Sequence, residues 1–134
     1  MKEKIAEWLT SNKILIIYAK KRGVGKSATA RKIFEDAGIK PELVAHIKDI
    51  GNWISDDCKG LLIDNASKRS LEDPTLTMLA NDVFTARKLG TLKARLVKTP
   101  KIIVTTNVQE LSPDLERRCI RIELPLTETE ETAK

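Results

Sequence analysis

The chain has 134 residues, 41% of them hydrophobic, 4% aromatic and 32% charged, with a formal net charge of +5. That length fits one compact domain, and neither a run approaching the ~20 apolar residues of a membrane helix nor a secretory leader is present. Cys58 and Cys119 lie far apart without metal-ligand spacing, which argues against a disulfide framework or a zinc site and for a reducing, cytoplasmic setting.

A basic balance favours partners that carry phosphate, in a nucleotide or in nucleic acid. Lys20, Lys21, Arg22 and Lys26 crowd one short stretch, whereas Glu128, Glu130 and Glu131 gather in residues 127–134. These last residues read as a frayed acidic tail on a core spanning residues 1–126.

In chain order, Ile5, Trp8 and Leu9 stand at helical spacing and predict a short amphipathic helix over residues 2–10. Ile14 to Tyr18 is a continuous apolar run, too short for a helix, and reads as a strand buried on both faces, as parallel sheets require. A helix follows from Lys26 to about Ala37, with Gly38 as its stop. Leu43 to Ile47 predicts a second strand and residues 51–58 a short helix. Leu61-Leu62-Ile63 is an apolar strand ending in Asp64. Asp73 is placed to cap a helix running through Leu76, Leu79, Val83 and Phe84 towards Leu89. Leu92, Ala94 and Leu96 alternate with Lys93, Arg95 and Val97, the pattern of a half-exposed strand or hairpin arm. Ile102 to Val104 is a further central strand; a turn or short helix at Pro113–Arg117 leads into a last strand at Ile120–Leu124. Buried strands alternating with helices mean an α/β fold with a doubly wound parallel sheet.

Three stretches carry the chemistry. Arg22-Gly23-Val24-Gly25-Lys26-Ser27 lies between a buried strand and a helix, the context in which such a string forms a phosphate loop. Glycines let backbone N–H groups close around phosphate oxygens; the helix N-terminus adds positive potential. Lys26 would reach the β- and γ-phosphates of a nucleoside triphosphate, and Ser27 would offer its hydroxyl to magnesium. Lys21 to Ala28 are thus the nucleotide-binding candidates. The full pattern has glycine where Lys20 stands, which costs about 1 kcal/mol if the backbone there needs a positive φ.

Asp64, at the end of its strand, has the form of a Walker B carboxylate that holds magnesium opposite Ser27. The next residue is Asn65, which cannot take a proton as a glutamate base would. Glu72, Asp73 and Asp82 are weak substitutes. Asn107, ending a later strand, suits a polar side chain that positions water, though Asn is also an ordinary turn residue. Arg117 and Arg118 precede the last strand, where a guanidinium could reach a neighbouring subunit's γ-phosphate as an arginine finger; a solvated pair is the plain alternative.

The order of Lys26-Ser27, Asp64, Asn107 and Arg117-Arg118 resembles the AAA+ ATPases, and among them the replication ATPases of phages and plasmids akin to superfamily 3 helicases and primase–helicases. Ile63-Asp64-Asn65, Asn81-Asp82, Arg87-Lys88-Leu89-Gly90, Thr106-Asn107 and Asp114-Leu115-Glu116-Arg117-Arg118 carry most of the likeness, which spans residues ~12–125. The resemblance implies a three-layer P-loop fold with a five-stranded, mainly parallel sheet ordered 5-1-4-3-2. It also implies ring-shaped homo-oligomers and ATP hydrolysis, with Mg2+, coupled to movement along DNA. No segment for a helical lid follows Leu126, so the chain reads as a core or a pared-down relative.

In superfamily 3 relatives a hairpin before the strand carrying Asn107 grips DNA phosphates, which makes Lys93, Arg95 and Lys98 the candidates for contact with single-stranded or forked DNA. Basic residues alternating on an edge strand also serve only to discourage aggregation. His46, Trp8 and Trp53 read as structural. Two rivals stand beside an ATPase. One is a nucleotide-binding or assembly module without hydrolysis, suggested by Lys20 and Asn65. The other is a small P-loop kinase, which would need an acceptor pocket and an arginine-rich lid.

Overall fold

The structure, a computed structural model, describes residues 2–20, 25–44, 47, 58–81, 83–87 and 94–124, with the backbone alone for 83–87 and 94–97. The described residues form helices α1 (Lys2–Thr10), α2 (Lys26–Asp36), α3 (Lys68–Leu71), α4 (Pro74–Met78) and α5 (Pro113–Arg117). The strands are β1 (Ile14–Ala19), β2 (Pro41–Val44), β3 (Gly60–Ala66), β4 (Val83–Arg87), β5 (Ala94–Lys98), β6 (Lys101–Thr106) and β7 (Cys119–Leu124). Five of them make one sheet in the order β2-β3-β6-β1-β7, every neighbouring pair parallel. Counting those five in chain order from the β7 edge gives 5-1-4-3-2, as expected.

The continuous apolar runs are buried on both faces because helices cover both. Leu15, Ile17, Leu62, Ile103 and Ile122 point to one side, where they meet Trp8 of α1 and Ala30, Ile33 and Phe34 of α2. Ile14, Ile16, Leu61, Ile63, Ile102 and Val104 point to the other, against Leu71, Leu76 and Leu115 from α3, α4 and α5. Trp8 is a packing residue: its ring meets Phe34 edge-on, with centroids 5.6 Å apart, and its Nε1–H donates to the Ile102 carbonyl at 3.1 Å. Lys101 Nζ donates to the carbonyls of Trp8 and Ser11 where α1 ends.

Helix α2 stops where the glycine predicted. Gly38 has φ 71°, its N–H donates to Glu35 O and the Ile39 N–H donates to Phe34 O, which together close the last turn. The short helices begin at side-chain caps: Ser67 for α3, Asp73 for α4 and Ser112 for α5.

Three expectations need correction. The helix from Asp73 does not run to Leu89; α4 ends at Met78, and residues 83–87 form β4, antiparallel to β5 with Val83 opposite Lys98 and Arg87 opposite Ala94. Val83, Phe84 and Thr85 are β-branched or aromatic and favour a pleated ribbon over a helix. The hairpin arm expected near residue 94 is real, and this is its partner. Second, β2 covers Pro41–Val44 rather than Leu43–Ile47. It is an edge strand, so its first residue can be a proline with no N–H to offer. Third, the positive φ that would make Lys20 costly does not occur, because Asn65 is the one non-glycine residue at positive φ among the described residues.

The helix expected over residues 51–58 falls, apart from Cys58, outside the described residues, as do His46, Trp53 and the tail at 127–134. Among the described residues no helix is long and apolar enough to cross a membrane.

Candidate functional site

In a parallel sheet the strands deliver their following loops to one edge, and β1, β6 and β3 lie side by side. The start of α2 therefore meets the ends of β6 and β3. Gly25 opens α2 at φ 84°, a conformation that favours glycine, and among the described residues no side chain caps the helix, whose first N–H groups have no partner within the helix itself. The backbone around Gly25 leaves open space where a side chain would stand.

Lys26 is buried at 7% exposure, unusual for an ammonium group. Its Nζ donates to Asn107 Oδ1 at 2.7 Å, tying the start of α2 to the residue that follows β6. Ser27 Oγ donates to Asp64 Oδ1 at 2.6 Å, tying the same turn to β3. Four residues far apart in sequence thus form two adjacent pairs, one carrying a positive charge and one a negative.

Asp64 has a second partner that nothing in the sequence singles out. Thr105, wholly buried in β6, donates its Oγ1–H to Asp64 Oδ1 at 2.5 Å and accepts the Asn65 N–H at 2.8 Å. Thr106 does a similar service one residue on: its hydroxyl donates to Ala66 O at 2.6 Å and accepts the Val108 N–H at 3.0 Å. Between Ile63 and Ala66 the β3–β6 register shifts, and Asn65 sits there at φ 54°. A signal for Thr105 could have come only from knowing that β3 and β6 pair, with Ile63 opposite Val104.

Burial would raise the Asp64 carboxyl. The hydroxyls of Ser27 and Thr105, the charge of Arg31 and the Asn65 amide outweigh it and hold the group below its usual 3.8. Asp64 is therefore an anion at neutral pH, set beside a buried cation.

Lys26, Ser27 and Asn107, though not Asp64 itself, border an open cleft of about 670 Å³, lined by residues 25–28, Asn65, Ala66, Ser67, Asn107 and Val108. Its volume lies within the ~300–1,000 Å³ of small-molecule sites. Ala28 lines it as expected, whereas Lys21, Arg22, Gly23 and Val24 lie outside the described residues. Glu72 and Asp73 do not line it; Asp73 is committed to the Thr75 N–H, and Asp82 lies outside the described residues.

Arg117 and Arg118 are not brought to this cleft. Both reach Asp114 at 3.2 Å, with side chains 77% and 41% exposed at the end of α5. Lys93 is outside the described residues, Arg95 is placed on β5 by its backbone, and Lys98 is exposed at the end of that strand.

No protein-family model matches the chain, and no curated protein matches it. Its fold does match solved structures. A JCV helicase with a thiazolopyridine acetamide compound bound is 17% identical with a TM-score of 0.55, over 89% of this chain and 39% of that one. Another JCV helicase structure is 19% identical with a TM-score of 0.54, over 89% of this chain and 38% of that one. The C-terminal region of NrS-1, in an apo form, is 17% identical with a TM-score of 0.54, over 94% of this chain and 35% of that one. The chain therefore spans less than half the length of each of these neighbours, and what it shares with them is the α/β fold of helicase domains.

Proposed function

We propose that this chain binds and hydrolyses ATP as the core of a DNA-replication protein of helicase type. The observation that carries the reading is the pairing of Lys26 with Asn107 and of Ser27 with Asp64, at the carboxyl edge of a parallel sheet where α2 begins. The fold shared with the JCV helicase and the NrS-1 C-terminal region supports it.

The residues fit the nucleotide and its metal. An ionised carboxylate next to a hydroxyl is an oxygen pair of the kind magnesium takes, and that ion commonly uses one or two protein oxygens and completes its shell with water and phosphate. When bound, Mg2+ neutralises phosphate charge and so eases attack at phosphorus. Lys26 would place a buried positive charge at the β- and γ-phosphates, and the first N–H groups of α2 would receive phosphate oxygens. Asn107, oriented by Lys26, would hold the attacking water. Arg117 or Arg118, outside their own chain's cleft, would complete the site of a neighbouring copy in a ring. Lys93, Arg95 and Lys98 of the β4–β5 hairpin would meet DNA, single-stranded or forked.

A second reading, nucleotide binding without hydrolysis, is favoured by one observation: Asn65, not a carboxylate, lines the cleft beside Asp64. Phosphate release from Mg-ATP, measured over a range of protein concentrations with and without single-stranded DNA, separates the two. Turnover should rise more than in proportion to protein and fall at least about a hundredfold in Lys26→Ala. Fluorescent-nucleotide binding without phosphate release would select the second reading. Absence of binding by the wild-type chain would sink both.

A further inference from the structure

The opposite edge of the sheet carries a second cleft. Strands β2, β3 and β6 enter the sheet in register, Pro41 beside Gly60 and Gly60 beside Lys101. With neighbouring strands about 4.8 Å apart, the residues just before those entry points stand in a short row. They include Lys40 and Lys59, and the end of β5 adds Lys98. The resulting cleft, about 690 Å³, has Ile39 and Pro100 among its lining, and Glu42 is the one acidic residue there among the described residues.

Lys101 also lines it, but its ammonium is occupied by the carbonyls at the end of α1. Lys40, Lys59 and Lys98 are exposed, and none forms an ion pair among the described residues. Three unpaired cations at one concave surface raise the local positive potential and favour a polyanion. The same character continues along the sequence: from Val83 to Lys101 there are six basic residues and no acidic one, so the basic hairpin leads directly into the cleft. Among the described residues no aromatic side chain lines it, which favours recognition of the backbone of the ligand over stacked bases.

We propose that the cleft rimmed by Lys40, Lys59 and Lys98 holds the sugar–phosphate backbone of a single-stranded nucleic acid, separately from the cleft around Lys26. The choice of partner rests on the proposed replication role; the site and its test do not depend on hydrolysis. Lys98 is shared with the hairpin, while Lys40 and Lys59 extend the contact to β2 and β3.

Fluorescence anisotropy of a labelled dT20 oligonucleotide with the full chain, between 50 and 200 mM salt, tests this. In the double variant Lys40→Gln/Lys59→Gln, affinity at 50 mM salt should fall at least about tenfold. The slope of log K against log salt should become shallower by about 1.4, from ~0.7 per lost phosphate contact. Fluorescent-nucleotide binding by the same sample should be unchanged, which also shows that the variant is folded. Unchanged affinity and slope in the double variant would overturn the proposal, even if Lys93→Gln/Arg95→Gln weakened binding. So would a wild-type chain that binds labelled poly-glutamate but not dT20, which would mark an acidic protein as the occupant. A wild-type chain that binds dT20 as expected but no nucleotide would instead overturn the ATPase reading and leave this site standing.

Discussion

Thr105 offers one hydroxyl proton and gives it to Asp64, while its oxygen receives the Asn65 N–H. Both bonds fix the carboxylate as an acceptor at the place where Ser27 also donates. Thr105→Val removes the hydroxyl with little change of shape and leaves the Asn65 N–H without its partner, so it should cost about 1–3 kcal/mol in chemical unfolding, whereas Thr105→Ser should stay near wild type. The same substitution should alter the response to acid. The folded pKa of Asp64 is depressed, so its contribution to stability is present above the unfolded value near 3.8 and is lost as pH falls through the lower folded value. With Thr105 gone, one of the groups that depress it is gone, and the acid limb of the unfolding curve should move to higher pH. Nothing in Thr105-Thr106 announces this role. The β-branched pair reads as strand, and the meaning of its hydroxyls appears only when β6 is laid against β3. Lys26, Ser27, Asp64 and Asn107 were legible because residue type and position at a strand or helix end point to the same chemistry.

Elements made of uninterrupted apolar residues were legible for a similar reason: Ile14 to Tyr18, Leu61 to Ile63 and Ile102 to Val104 can be satisfied only by burial on both faces. The stretch from Asp73 to Leu89 was not, because Leu76, Leu79 and Val83 satisfy a helical stripe as far as spacing goes. A cap and Pro74 do start a helix there, but the antiparallel pairing of β4 with β5 claims the second half. The junction between α2 and β3 makes a sharper case. Gly60 begins β3 beneath the end of α2, and a Cβ there would lie 2.7 Å from Ile39 Cγ2 and 2.8 Å from Phe34 Cε1. Phe34 is wholly buried beside Trp8 and cannot swing away cheaply. Gly60→Ala should therefore lower stability by about 1–3 kcal/mol in denaturant unfolding. A change near zero would mean that α2 slides over the sheet more freely than its packing indicates.

For the whole molecule, the sheet separates two clefts. The six residues of β6 span about 20 Å, with Lys26 and Asp64 near one end of the sheet and Lys40 and Lys59 at the other. Arg117 and Arg118 occupy neither cleft, and this bears on assembly. If they act on a neighbour's site, a chain lacking Lys26 still brings working arginines, and a chain lacking the arginines still brings a working cleft. Lys26→Ala should lose phosphate release by at least about a hundredfold alone, and Arg117→Ala/Arg118→Ala by at least about a thousandfold. Mixed in equal amounts they should recover a measurable part of it. A mixture as inactive as its components, under conditions where the wild type turns over, would remove the arginines from the proposed mechanism.

Asn65 stands where many P-loop ATPases carry a glutamate, and its backbone says why that exchange is not simply open to this chain. At φ 54° the short side chain of asparagine is tolerated, while a longer one gains no compensating local hydrogen bond. A glutamate there would hold the left-handed backbone at a cost of about 1–2 kcal/mol, at the residue whose N–H meets Thr105, the partner of Asp64. The amide at position 65 is thus tied to the shape of the strand end before any question of chemistry arises, and of the carboxylates the shorter aspartate suits that backbone better than glutamate.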